Sequence, residues 1–145
     1  AAQIDTAIAN GLPAALGTIG LSATAGLDEA TFARLATRVH AQGRKLFVSV
    51  DVPTRGPSYA SLATRADMVE LIVSGSATTA EATVAAARDA VAKLGTRPIL
   101  FVRLPTGLDA AATASAATRV TTEFPAAGVA LPWSDDLTSR LSELR

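Results

Sequence analysis

The feature that most constrains the fold is a regular alternation of short apolar stretches with longer stretches of helical periodicity. Five stretches have the length and composition of strands, and helix-length stretches separate them. Strands that alternate with helices and are apolar on both faces favour a parallel sheet with right-handed crossovers. The predicted strands are Leu16–Leu21, Lys45–Val52, Asp67–Ser74, Arg97–Leu104 and Gly128–Leu131.

Helix-start and helix-stop signals mark the segments between these strands. Residues 3–15 form a short helix or an irregular lead-in, which Gly11 and Pro13 interrupt. Thr78 and Glu81 have the spacing of a capping box, with Thr78 as the N-cap residue. The predicted helices run from Asp28 to Gln42, from Ser58 to Arg65, from Thr78 to Gly95, from Asp109 to before Pro125, and from Ser134 onward.

The sequence therefore predicts one α/β domain across residues 1–145, either complete or one module of a longer protein. Two architectures fit five parallel strands that alternate with helices. One is an open doubly wound sheet. The other is part of a (β/α)₈ barrel, which at full size needs about 250 residues.

Composition excludes several classes of function. The 13 basic and 13 acidic residues give a net charge of zero, which argues against nucleic-acid binding. The chain has no cysteine and one histidine, and it contains neither a dinucleotide fingerprint nor a P-loop, so we expect no metal and no cofactor. The apolar runs are too short for membrane insertion.

The compartment follows only loosely from the sequence. The Ala1-Ala2-Gln3 start is compatible with a mature end left by signal cleavage, which would place the protein outside the cell or in its envelope. The absence of cysteine is compatible with export and with the cytoplasm.

Two carboxylates are the candidate catalytic residues, because α/β proteins bind ligands at the carboxyl ends of their strands. Asp51 is either a general acid/base and sugar-hydroxyl acceptor or a turn cap before Pro53. Glu70 lies in an apolar strand, where a buried carboxylate needs a partner. It is either catalytic, paired with Arg103 or Arg97, or on an edge strand.

Six further side chains are predicted to contact a ligand at the same ends of the strands. Trp133 would serve as a stacking platform for a sugar ring or as a core plug at the end of the sheet. His40 would lie at the opposite end and be structural or solvent-facing. The predicted ligand-binding residues are Ser22, Thr24, Arg55, Tyr59, Arg103 and Trp133.

Four segments, in order, resemble the C-terminal half of the barrel in chitinase-like glycoside hydrolases of family 18. Val39–Val50 reads VHAQGRKLFVSV, close to the H-A-x-G-K-K-L-x-V-x-V of that family, and Tyr59–Gly75 reads YASLATRADMVELIVSG. Val102–Gly107 reads VRLPTG, and Gly128–Asp136 reads GVALPWSDD. The resemblance implies a partial barrel and a carbohydrate ligand.

The catalytic motif of that family is degenerate in this chain. Gly20, Ser22 and Thr24 fall where the resemblance places two aspartates and the catalytic glutamate, and none of the three can protonate a leaving group. We therefore expect a non-catalytic, chitinase-like carbohydrate-binding or assembly domain of a secreted protein. The alternative is a glycosidase-type enzyme that uses Asp51 and Glu70. A partial barrel also leaves a sheet edge open, through which two copies could pair.

Overall fold

The computed structural model describes Thr6 and residues 17–23, 27–73 and 77–131. Five parallel strands form one sheet in the order β1-β2-β3-β4-β5, so every strand pairs with its neighbours in the sequence. The strands are β1 (Thr18–Ser22), β2 (Lys45–Val52), β3 (Met68–Val73), β4 (Ile99–Arg103) and β5 (Ala127–Ala130). The helices are α1 (Glu29–Ala41), α2 (Tyr59–Arg65), α3 (Ala80–Leu94) and α4 (Ala110–Glu123).

The strand order confirms the predicted α/β class of five parallel strands alternating with helices. A doubly wound sheet has a point at which the strand order reverses, and the five described strands show no reversal. Consecutive parallel strands with crossovers of one hand keep all helices on one face. Each described helix contacts the next, as in one segment of a (β/α) barrel.

Each of the helices α1 to α4 follows an N-cap residue whose side chain accepts a backbone N–H. Asp28 accepts from Thr31 at 2.9 Å, and Asp109 accepts from Ala112 at 2.7 Å, as the sequence predicts. The capping box at Thr78 is wrong by one residue. Thr79 has the extended backbone of an N-cap and accepts from the Ala82 amide at 3.1 Å. This shift makes Glu81 the second helical residue, one position too early to reach back to the cap.

The core lies between the helices and one face of the sheet. Alternate strand residues point to opposite faces, and the helix-facing set is fully or nearly fully buried. Its centre consists of Val48, Val50, Val69, Leu71 and Val102, which pack against helix residues that include Phe32, Leu35, Leu62, Val84 and Val120. No helix among the described residues is both long and apolar enough to span a membrane.

Helices α1 to α4 all lie on the first face, and we call the other face of the sheet the uncovered face. Its central row consists of Ser22, Ser49, Glu70, Phe101 and Gly128. A Cβ at position 128 would lie 2.7 Å from Cδ1 of Phe101, so any other residue there would displace the Phe101 ring. In a closed barrel this face would line the interior.

Candidate functional site

A buried carboxylate is the centre of the uncovered face. Both oxygens of Glu70 accept hydrogen bonds from Arg103, with Nε to Oε1 at 2.9 Å and Nη2 to Oε2 at 2.8 Å. The Ser49 hydroxyl donates to Oε2 at 2.7 Å. Three neighbouring strands thus supply one polar cluster, in which the planar guanidinium binds the carboxylate in its preferred bidentate mode.

The environment of Glu70 decides among its predicted roles. It pairs with Arg103 and not with Arg97, so the first of the two predicted ion pairs is the one that forms. An edge-strand position is wrong, because β3 is the central strand of the sheet. The Glu70 side chain is 5% exposed, whereas that of Arg103 is 41% exposed. The guanidinium therefore forms the solvent-facing surface of the cluster, and the carboxylate lies beneath it.

A cavity of about 470 Å³ opens at the carboxyl ends of β2 and β3. Asp51, the next-to-last residue of β2, and Arg55, in the following loop, supply its charged groups. No hydrogen bond or ion pair to either side chain is formed within the described residues. Asp51 is nevertheless half-buried, and a buried carboxylate normally has a partner. The remaining lining residues that the structure describes are Val52, Pro53, Val73, Ala77 and Ala86.

The loop that carries Arg55 is held in shape by its own hydrogen bonds. The Thr54 amide donates to the Tyr59 hydroxyl at 3.2 Å, and the Gly56 amide donates to Oγ1 of Thr54 at 3.1 Å. The Ser58 amide donates to the Glu29 carboxylate of α1 at 2.9 Å. This anchoring holds the backbone on both sides of Arg55.

The other predicted ligand-binding residues occupy different places. Tyr59 is the first residue of α2, where its ring lies 5.9 Å from Nζ of Lys93 and its hydroxyl accepts from Thr54. Ser22 ends β1 on the uncovered face, beside Ser49 in the register. Thr24 and Trp133 lie outside the described residues, as do the lead-in at 3–15 and the helix predicted from Ser134.

Sequence reasoning missed Ser49, the residue that completes the Glu70 cluster. The alternation in β2 places Ser49 opposite the buried valines and so indicates its face. What the sequence does not give is the register that sets Ser49 beside Glu70, because the pairing of parallel strands is not encoded by a short turn.

A second missed residue is Asp67, which lies just before β3 at the amino ends of the strands and binds groups from two other elements. Its Oδ2 accepts the Leu46 amide at 2.8 Å and lies 2.9 Å from Nε2 of His40, while Nζ of Lys45 is 3.8 Å from Oδ1. Partial burial raises the pKa of Asp67. The Leu46 amide, His40 and Lys45 together outweigh that effect and hold the pKa below its ordinary value. His40 thus lies away from the cavity and is both partly exposed and bound to Asp67, in agreement with the predicted structural or solvent-facing position.

We expect Asp67→Asn to lower the free energy of unfolding at neutral pH by about 1 kcal/mol, because a partly exposed carboxylate loses its ionic contacts. A carboxyl with a depressed folded-state pKa stabilises the protein above its unfolded pKa, near 3.8, and this stabilisation is lost as the pH falls through the lower folded value. The free energy of unfolding, measured by urea denaturation at a series of pH values, should therefore fall less steeply at acidic pH in the variant than in wild type. Asp89→Asn, on an exposed α3 pair with Lys93, is the control and should change little.

The described residues contain no group of three or more histidine, cysteine, aspartate or glutamate side chains that could hold a metal ion. Their candidate site is instead a pair of oppositely charged side chains, Asp51 and Arg55, that line one cavity. Comparisons with protein-family models, curated proteins and solved structures returned no match to this chain. The resemblance to family 18 glycoside hydrolases stays a prediction from the four segments that carry it.

Proposed function

We propose that this domain binds a carbohydrate without hydrolysing it, in the cavity at the carboxyl ends of β2 and β3. The observation that carries the proposal is the half-buried Asp51 carboxylate, which has no partner among the described residues and lines that cavity together with Arg55. The carboxyl ends of parallel strands are the usual location of ligands in α/β folds. A ligand that donates hydrogen bonds would supply the partner that Asp51 lacks.

The chemistry of the cavity suits a sugar. A carboxylate accepts hydrogen bonds from two adjacent hydroxyls, and a guanidinium donates to ring, hydroxyl or carboxylate oxygens. The apolar walls formed by Pro53, Val73 and Ala77 would pack against the C–H groups of a pyranose. The volume of about 470 Å³ is within the range of small-ligand pockets, enough for one or two rings.

The alternative, a glycosidase that uses Asp51 and Glu70, is less well supported by the same geometry. Hydrolysis needs one carboxyl group to protonate the leaving oxygen and a second to act as base or nucleophile. Both Glu70 oxygens already accept hydrogen bonds from Arg103, and Ser49 adds a third. Glu70 would have to leave this cluster before it could approach a glycosidic oxygen, so binding without turnover is the favoured function.

The binding test is a calorimetric titration of the protein with chitin and peptidoglycan oligosaccharides. We expect wild-type protein to bind, and Asp51→Ala and Arg55→Ala each to weaken binding by about tenfold or more, since each removes charged hydrogen bonds. Asp89→Asn, an exposed acid away from the cavity, should bind as wild type does.

Two results would contradict the proposal. Absence of binding across the oligosaccharide panel would remove the carbohydrate ligand. Turnover of a chromogenic glycoside that is lost in Glu70→Gln would establish the enzyme alternative instead.

A further inference from the structure

A second cavity, of about 310 Å³, lies at the amino ends of β4 and β5, at the opposite end of the strands from the first cavity. Its walls come from the last turn of α3, the end of α4 and the two loops that lead into these strands. Most of the described lining is apolar and includes Val91, Pro98, Leu100, Phe124 and Pro125. An apolar cavity of this size with a few polar groups is the usual form of a small-molecule site.

The backbone beside this cavity offers hydrogen-bond acceptors more than donors. The last four carbonyls of a helix have no partner inside the helix. In the described part of the chain, the N–H groups that follow each helix bind one of these four carbonyls, Val91 in α3 and Val120 in α4. The loops that follow contribute Pro98 and Pro125 to the lining, and proline has no N–H to donate. A ligand that suits this cavity therefore carries hydrogen-bond donors.

The charge at the cavity favours a donor that is also a cation. Both helices end here with the negative pole of the helix dipole, and Glu123 of α4 lines the cavity. Nε of Arg88 donates to Oε1 of Glu123 at 2.6 Å. This hydrogen bond holds the pKa of Glu123 below its ordinary value, so its carboxylate is ionised at neutral pH. Within the described residues, Oε2 of Glu123 accepts no hydrogen bond.

The basic side chains nearby lie outside the cavity. Arg88 is not part of the lining and keeps 62% of its side chain exposed. Lys93 and Arg119 each bind a carboxylate of α3. Arg97 is exposed, and it lies between two lining residues without being one itself. The charged group that the described lining contributes is therefore the Glu123 carboxylate alone.

We propose that this cavity binds a small molecule that joins an apolar body to a protonated amine. The apolar body packs against Leu100 and Phe124, while the ammonium donates to Glu123 and to the carbonyls at the helix ends. Phe124 adds an aromatic ring, which attracts a cation over its face. This site is separate from the carbohydrate site and does not depend on it.

The test is a titration of the 145-residue chain with three probes that share a phenyl ring and differ in their polar group: phenethylamine, phenethyl alcohol and phenylacetate. Chemical-shift mapping of the backbone amides gives both the affinity and the location. We expect the amine to bind with a millimolar or lower dissociation constant, with shifts at residues 91–100 and 123–127. The alcohol should bind about tenfold more weakly than the amine, and the anion most weakly, because each lacks the attraction to Glu123.

Two variants test the carboxylate and the cavity separately. Glu123→Gln should weaken the amine by about tenfold and leave the alcohol unchanged. Glu81→Gln, which also removes the carboxylate partner of an exposed arginine, should change neither affinity. Ala92→Phe adds a ring to the cavity wall and should abolish binding of all three probes, whereas Ala85→Phe, two turns earlier on the same side of α3 and outside the described lining, should leave binding unchanged. All four positions are exposed, and circular dichroism checks that each variant is folded.

The outcomes also separate this site from the carbohydrate site. Asp51→Ala should retain amine binding, and Ala92→Phe should retain oligosaccharide binding, because the two cavities lie at opposite ends of the strands. Absence of amine binding to wild type overturns the proposal. Equal affinities for the amine and the alcohol, or amine binding that Glu123→Gln leaves intact, overturn it in favour of a neutral apolar ligand.

Discussion

Arg103→Met is expected to lower the free energy of unfolding by about 3–5 kcal/mol, because it leaves a buried carboxylate without its counter-charge. The Glu70 side chain is 5% exposed, and after the substitution only the Ser49 hydroxyl would still donate to it. Urea denaturation at neutral pH measures the change directly.

The reverse substitution should cost much less, and this asymmetry is the sharper test. In Glu70→Met the remaining guanidinium, already 41% exposed, can turn to water, so we expect a loss of about 1 kcal/mol. The double variant, with methionine at both positions, should return to within about 1 kcal/mol of wild type. The reason is that an apolar pair replaces an ion pair whose attraction is largely offset by the cost of desolvating both charges.

A different pattern would contradict this account of the cluster. Equal losses in the two single variants would mean that Arg103 is as dependent on the pair as Glu70 is. Additive losses in the double variant would mean that the two side chains are not coupled, in spite of their bidentate contact.

The sequence was most informative where local chemistry determines the structure. Lys45–Val52 was predicted to the residue, because it is rich in valine and Pro53 follows it. Asp28 and Asp109 were predicted as helix starts because their side chains bind a backbone amide only three residues away. Strand β1 was displaced, from Leu16–Leu21 to Thr18–Ser22, because its glycines weaken the local signal.

The candidate site was predictable in part, for a related physical reason. The rule that ligands bind at strand carboxyl ends selected Asp51 and Arg55, which line one cavity. The same rule selected Glu70 and Arg103, but only the register across β3 and β4 shows that they bind each other. Long-range pairing of this kind depends on how the whole sheet assembles, and no local pattern in the sequence specifies it.

Adjacent residues of β3 lie on opposite faces of the sheet, so we expect their substitutions to lower the free energy of unfolding by very different amounts. Leu71 is fully buried on the helix-covered face, and Leu71→Ala should lower the free energy of unfolding by about 3–5 kcal/mol through lost burial and a residual cavity. Ile72 is half-buried on the uncovered face, and Ile72→Ala in the monomer should cost only about 1 kcal/mol. Chemical denaturation of both variants at low protein concentration measures this difference. Equal costs of Leu71→Ala and Ile72→Ala would show that both faces of the sheet are covered within one chain, since a residue open to water cannot lose a buried contact that it does not make.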